Sequence, residues 1–259
     1  MHANDVGSEV PVTPSECTVP TGAERALRLT EEYIAVISHE LRTPLSAVLN
    51  WAQVLKKSPC DREAVLCAAQ AIERNARLQA RLVDDLFDVS RIIVGKMKLV
   101  RTEFDLDDVV RSCLTMIEHS ADAKRITVDL TSEKVLVHAD ERRLQQVILN
   151  LLTNALKFTP DEGNVSVELS RSKDQAVIRV ADTGCGVAPN LLPRIFQRFW
   201  QADGSAARPS GGLGLGLNIV QAIVELHGGT AQAESAGLGQ GAAFTIRLPC
   251  HLSEVDRNP

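Results

Sequence analysis

The sequence predicts an α plus α/β chain: a long antiparallel helical hairpin followed by an α/β sandwich. Three observations carry this. First, apolar residues recur every seven positions at Ile34, Leu41, Val48 and Leu55, with Leu45 and Ala52 on an adjacent line. Second, the period returns at Val65, Ile72, Leu86 and Ile93 after the break "KKSPCD"; Gln79 interrupts it, and Leu82 and Val89 widen the stripe. Third, the texture changes at about Gly95, where short β-like runs begin to alternate with helical stretches.

Pro59 sits where the first helix should stop. Two helices of about 30 residues joined by a short turn make a hairpin. Such a hairpin cannot bury both apolar seams alone, so a second copy is expected to complete a four-helix bundle. A plain coiled-coil stalk would show the same periodicity. Beyond Gly95 the runs "ITVDL", "VLVHA", "NVSVELS", "AVIRVAD", "TAQAES" and "AAFTIRLP" read as strands. Helices are expected near 105–123, 140–157 and 214–227, packed on one face of the sheet. The expected division is a flexible leader over 1–24, a helical domain over 25–94, a sandwich over 95–250 and a tail over 251–259.

Composition narrows the function. A net charge of −5 and a pI near 5.7 argue against a nucleic-acid binder. Hydrophobic residues make up 44%, enough for a real core. The 6 cysteines include no CxxC pair, so reduced thiols in a cytoplasmic protein are expected rather than a disulfide framework or a zinc site. No apolar run is long enough to span a membrane. The first residues, polar and rich in proline, lack the apolar centre of a signal peptide.

Four stretches carry chemistry. In "DERRLQQVILNLLTNALKFT", Leu144, Val147, Ile148, Leu151, Leu152 and Ala155 form one apolar helical face. Asn150, Asn154 and Lys157 share another. Amide oxygens suit a hard cation such as magnesium, and a lysine one turn on suits phosphate, although a solvated polar face would look alike. In "VIRVADTGCGV" a β run ends at Asp182, with Gly184 and Gly186 following. A carboxylate there can accept a hydrogen bond from an amino group such as that of adenine. In "GGLGLGLNIVQAIVELHGG", Gly212, Gly214 and Gly216 lead into a helix whose N-terminus offers free amides to phosphate. This is neither GxGxxG nor a P-loop. Last, "GLGQGAAF" holds Gly237, Gly239 and Gly241 before the final strand, and reads equally well as a flexible loop.

The fifth stretch is "SHELRTPL", Ser38 to Leu45. With Ile34, Leu41 and Val48 at heptad position a, His39 falls at f, the position facing furthest from the seam. That geometry makes a core histidine a poor reading. Pro44 removes a backbone hydrogen bond at the level of Glu40 and is expected to bend the helix there.

Taken in order, the set from Asn150 and Asn154 through "DTGCG", "IFQRFWQADGS" and "GLGLGL" to the last glycine loop resembles the ATP-binding domain of sensor histidine kinases. "SHELRTPL" resembles the phosphoacceptor box of that family. The resemblance covers roughly residues 25–249. It implies an ATP-binding sandwich of the Bergerat type, with ATP and Mg2+ as the ligands. It further implies that Asn154 is the magnesium ligand, with Asn150 and Lys157 at the phosphates and Asp182 at the adenine amino group. Gly184, Gly186, Gly212, Gly214, Leu215 and Gly216 would shape the pocket and its lid, docked by Phe196 and Phe199. Arg208 lies in the lid with no role assigned. Hydrolytic relatives carry a glutamate on the helix that here bears Asn150 and Asn154; asparagine is no useful base, so ATP should be held rather than rapidly hydrolysed. His39 would then accept the γ-phosphoryl group, oriented by Glu40, and Thr43 would position a water for dephosphorylation of the partner. The implied partners are a second copy of the chain and the receiver domain of a response regulator. No stretch reads as a sensor before residue 25 or as a receiver after 249, although the lid resembles that of hybrid kinases.

Overall fold

The computed structural model describes residues 22–57, 61–200 and 213–250, with side chains from residue 34 on. The expected turn at 58–60, the first 21 residues, Arg208, Gly212 and the tail from 251 lie outside the described residues.

Helices α1 (Gly22–Lys57) and α2 (Arg62–Ile93) form the hairpin. Helix α1 begins at Gly22, inside the stretch read as leader, because Ala23 and Glu24 are good helix formers. It continues through Pro44, which is buried. The proline leaves the carbonyl of Glu40 without its helical N–H. One residue earlier, the Thr43 hydroxyl donates to the carbonyl of His39 at 3.1 Å. Asp61 caps α2, its carboxylate accepting from the N–H groups of Glu63 and Ala64 at 3.1 and 3.2 Å. Leu41, Val48 and Leu55 are half-buried, Leu82 and Val89 fully so. Ile34, Leu45, Leu49, Leu66, Phe87 and Ile93 remain exposed. The hairpin thus buries part of its apolar surface and leaves the rest outward, as the two-stripe pattern requires.

The second part contains β1 (Thr102–Asp105), α3 (Leu106–Ala123), β2 (Thr127–Ser132), β3 (Leu136–Ala139), α4 (Glu141–Phe158), β4 (Asn164–Ser172), β5 (Gln175–Asp182), α5 (Gly216–Leu226), β6 (Thr230–Glu234) and β7 (Ala242–Pro249). A 3-10 turn lies at Leu192–Arg194. The main sheet has five strands in the order β2-β4-β5-β7-β6. β2 runs parallel to β4, and the other neighbours are antiparallel. Period-2 alternation turns Val165, Val167 and Leu169, Ala176, Ile178 and Val180, and Phe244, Ile246 and Leu248 to one buried face. Onto it α4 lays its predicted apolar face and α5 lays Ile219, Val220, Ile223 and Val224. Each fully buried Leu or Ile here stabilises the fold by about 1.5–3 kcal/mol.

β1 has no counterpart in the sequence reading. It is four residues long, carries two acids, and among the described residues pairs with β3 alone. Its last residue explains its position: Asp105 Oδ1 caps α3 by accepting from Asp107 N–H and also accepts from Val135 N–H, both at 3.1 Å. The start of α4 is fixed as firmly. Asp140 accepts from Arg143 N–H at 3.1 Å and from Val100 N–H at 2.8 Å. The Asp140 N–H donates to Nε2 of buried His227 at 3.0 Å. His227 is thereby neutral, with Nδ1–H facing the Ile223 carbonyl at 2.8 Å, and burial holds its pKa below the ordinary histidine value.

Candidate active site

The site begins on α4, whose caps and buried face fix its rotation. Asn150, Asn154 and Lys157 lie on the flank that the core leaves open; Asn150 and Asn154 are half-buried and Lys157 is exposed. The Asn150 amide donates to the carbonyl of Gly216 at 3.4 Å, which ties α4 to the first residue of α5. Desolvation lowers the pKa of Lys157, opposed by the Glu40 carboxylate of α1.

The C-terminus of α4 is held by a residue the sequence reading did not single out. Lys124 Nζ donates to the carbonyls of Leu156 at 2.7 Å, Thr159 at 3.1 Å and Lys157 at 3.4 Å. These are orphan acceptors of a helix end, and an ammonium satisfies them while countering the negative end of the dipole. The carbonyl of Phe158 receives the N–H of Cys185 at 3.2 Å. The glycine box after β5 is thus docked directly on the end of the asparagine helix.

Asp182 ends β5, paired with Val165 on one side and Ala242 on the other. Its Oδ1 accepts from the N–H of Gly184 at 2.8 Å. Burial raises its pKa, while hydrogen bonds from Gly184 and Ala242 work the other way. The half-buried carboxylate can still accept from a donor approaching from the open side. Gly184 is required by space: a Cβ there would sit 2.5 Å from the Phe158 carbonyl oxygen. Gly186 adopts φ +64, and a Cβ would strike the carbonyl of Gly237.

That last contact assigns a place to the final glycine loop. Gly239 N–H donates to the Cys185 carbonyl at 2.8 Å and Gly241 N–H to the Gly184 carbonyl at 3.1 Å. Ser235 locks the arrangement, its Oγ accepting from Val187 N–H at 2.9 Å and donating to the Gly241 carbonyl at 2.6 Å. The loop is the second wall of the Asp182 box rather than a free segment. The glycine spacing was visible in the sequence; Ser235 carried no signal there.

The predicted lid residues divide. Gly214 has φ +65, and a Cβ would meet the Trp200 carbonyl oxygen at 2.6 Å, so this glycine lets the chain close onto 199–200. Gly216 has open space around it, its nearest neighbour being the Asn150 amide at 3.9 Å. The Leu215 side chain is 1% exposed and belongs to the core, leaving only its backbone for a ligand. Phe196 and Phe199 are half-buried and pack on the same core, and the Phe196 carbonyl accepts from the Asn218 amide at 3.0 Å. Cys185 is exposed and unbridged.

On α1, the His39 side chain is 78% exposed, in line with heptad position f. Its Nδ1 lies 3.5 Å from Glu40 Oε1. An imidazole so placed has one nitrogen directed to a carboxylate and the other open to solvent.

Comparisons with known proteins agree with this geometry. Residues 29–95 match the His Kinase A (phospho-acceptor) domain, and residues 139–252 match the histidine kinase-, DNA gyrase B- and HSP90-like ATPase family. The circadian input-output histidine kinase CikA of Synechococcus elongatus is 36% identical over 84% of this chain and 30% of its own length. Full-length ShkA, solved in complex with AMPPNP, superposes with a TM-score of 0.64 at 32% identity, over 86% of this chain and 46% of that one. Histidine kinase ThkA, solved in complex with the response regulator protein TrrA, has the same fold: TM-score 0.62 at 24% identity, over 89% of this chain and 64% of that one. The chain spans less than a third of the length of CikA. With both domains matched in order and the relatives named as histidine kinases, the chain belongs to the sensor histidine kinases of two-component signalling.

Proposed function

We propose that the chain is an autokinase core that binds Mg-ATP beside Asn150, Asn154, Lys157 and Asp182 and transfers the γ-phosphoryl group to His39. From there the phosphoryl group passes to an aspartate of a response regulator receiver. One observation carries the reading: the His39 side chain is 78% exposed with Nδ1 3.5 Å from the Glu40 carboxylate, so its ring is open to a phosphoryl donor from outside the hairpin.

The residues act as follows in this reading. The Glu40 carboxylate holds the proton on Nδ1 of His39, which leaves the Nε2 lone pair to attack the γ-phosphorus. A P–N bond forms as the bond to the bridging oxygen breaks, and ADP leaves with the electron pair. The Nδ1 proton stays beside Glu40, which offsets the positive charge on the ring. Lys157 and the start of α5 attract phosphate oxygens, and Asp182 accepts from the adenine amino group. Asn154 fits a magnesium site, because its amide oxygen is a hard donor on the phosphate flank. Among the described residues no cluster of three His, Cys, Asp or Glu could hold a metal alone, so the ion would arrive with the nucleotide and neutralise phosphate charge. Thr43 sits one turn from His39, and its hydroxyl serves to orient water in the reverse, dephosphorylating activity toward the regulator.

Residues 25–94 are read as the dimerisation and phosphoacceptor domain and 95–250 as the ATP-binding domain, flanked by leader and tail. The exposed Ile34, Leu45, Leu49 and Phe87 motivate a homodimer that closes a four-helix bundle. Among the described residues no helix is long and apolar enough to cross a membrane. A cytoplasmic site of action follows from the use of ATP. Incubation with γ-labelled ATP tests the reading: it predicts protein-bound phosphate that is labile to acid, stable to base and lost in His39→Gln. Acid-stable label would overturn it.

A further inference from the structure

The two domains meet at a polar contact that the chemistry above does not use. Asp88, on α2, is buried, and so is Arg143, in the first turn of α4. Arg143 Nη1 donates to Asp88 Oδ2 at 2.6 Å and to Gln146 Oε1 at 2.8 Å. The Gln146 amide closes the triangle by donating to Asp88 Oδ2 at 2.9 Å. The side chains of the ion pair are 7% and 9% exposed. Each of the two partners thus owes its charge compensation to the other domain.

Where the end of α2 meets α5, a separate cleft of about 250 Å³ is lined by Ile92, Gly95, Met97, Ala222, Glu225 and Leu226. Apolar packing accompanies the pair: Leu82 and Val89 of α2 are buried in the same core as the apolar face of α4. The pair therefore adds directional polar bonds to an apolar contact between the domains. Its placement matters because α4 is one rigid helix. Its first turn is pinned to α2 by Arg143, and its last turn carries Lys157.

We infer that Asp88, Arg143 and Gln146 form an inter-domain latch that positions the ATP-binding domain on its own helical hairpin, and with it the whole of α4, whose last turn carries Lys157. The latch sets the approach of the nucleotide to the acceptor, not the affinity for the nucleotide. Arg143 and Asp88 are positioning residues. The inference rests on the autokinase reading for its kinetic consequence, and on geometry alone for the docking.

Breaking one side leaves a buried charge unpaired, which the chain relieves by letting the domains part; replacing both sides by apolar residues removes the charge and keeps the volume. The test uses the full chain with Asp88→Asn, Arg143→Met and the double variant Asp88→Leu/Arg143→Met. Each single variant should lower the autophosphorylation rate at saturating ATP about tenfold or more, with the ATP dissociation constant within threefold of wild type. The double variant should recover most of the rate. Amide hydrogen exchange should rise over residues 82–92 and 140–147 in the single variants and return toward wild type in the double. Asp88→Asn lies outside the ATP-binding domain, so an equal loss of ATP affinity there would overturn the inference. So would unchanged or faster autophosphorylation in both single variants. If the wild type takes up no histidine phosphate, the autokinase reading fails, and hydrogen exchange alone still decides whether the latch exists.

Discussion

Gly241→Ala and Gly239→Ala form a matched pair that tests whether the last glycine loop is a wall of the nucleotide box. Both glycines lie in the left-handed region, at φ +68 and +75. An alanine at either position costs about 1 kcal/mol of backbone energy. The surroundings differ. Around Gly239 a Cβ meets nothing within 4 Å. At Gly241 it would strike the carbonyl oxygen of Asp182 and lie 3.0 Å from that carbonyl carbon. Those atoms belong to the end of β5, held between β4 and β7, and cannot swing aside like a side chain. The loop must undock instead, and ATP has to pull it back. Overpacking of this kind costs about 1–3 kcal/mol, which is roughly a 5- to 150-fold rise in the dissociation constant for ATP. Gly239→Ala should weaken ATP by no more than about fivefold, the full effect of the backbone term. Calorimetric titration with ATP and magnesium reads both. Equal affinities for the two variants would refute the assignment of the loop to the Asp182 box.

Three further outcomes follow. Asp182→Asn should lose adenine recognition, so that ATP and ADP weaken together while bare triphosphate binds as before; an unchanged ATP affinity counts against the role. Glu40→Ala should cut autokinase activity by about 10²-fold or more, whereas Thr43→Ala should keep it and lose dephosphorylation of the regulator; the reverse pattern would undo the division of labour. Asp85 supplies a pH test. Burial, together with Asp88 and Asp84, raises its carboxyl from 3.8 to about 6. The folded state therefore holds the proton over that window after the unfolded chain has lost it. The stability from this group is complete below pH 3.8 and is lost as pH rises through about 6. Asp85→Asn should stabilise the protein at pH 7.5, by about 1 kcal/mol once solvent screening is allowed for, and by almost nothing at pH 4. Denaturant melts at the two pH values that show the same shift would contradict the assignment.

Much of this was legible because the sequence states it locally. The heptads of α1 and α2, the apolar face of α4 and the alternating strands each follow a period that one element can reveal. His39 emerged at an outward position for the same reason. What stayed hidden depends on partners far away in the chain. Lys124 is one lysine among many until the fold brings it under the carbonyls of 156–159. Ser235 gains meaning only where β6 returns beside the box after β5. Asp88 and Arg143 are 55 residues apart and read as ordinary surface charges on amphipathic helices. Leu215 differs in another way: its place within a glycine motif suggested a ligand contact, and its side chain is core, which leaves its backbone for that role.

The central claim is that His39, and no other histidine, takes the phosphoryl group from ATP. The sequence has 6 histidines, among which His119 and His138 are also exposed and His227 is buried. Mapping the phosphate by mass spectrometry at neutral pH, after brief incubation with Mg-ATP, tests the claim most directly. The account predicts phosphohistidine on the peptide carrying "SHELRTPL" and on no other. Phosphate on His119 or His138, with His39 unmodified, would contradict it.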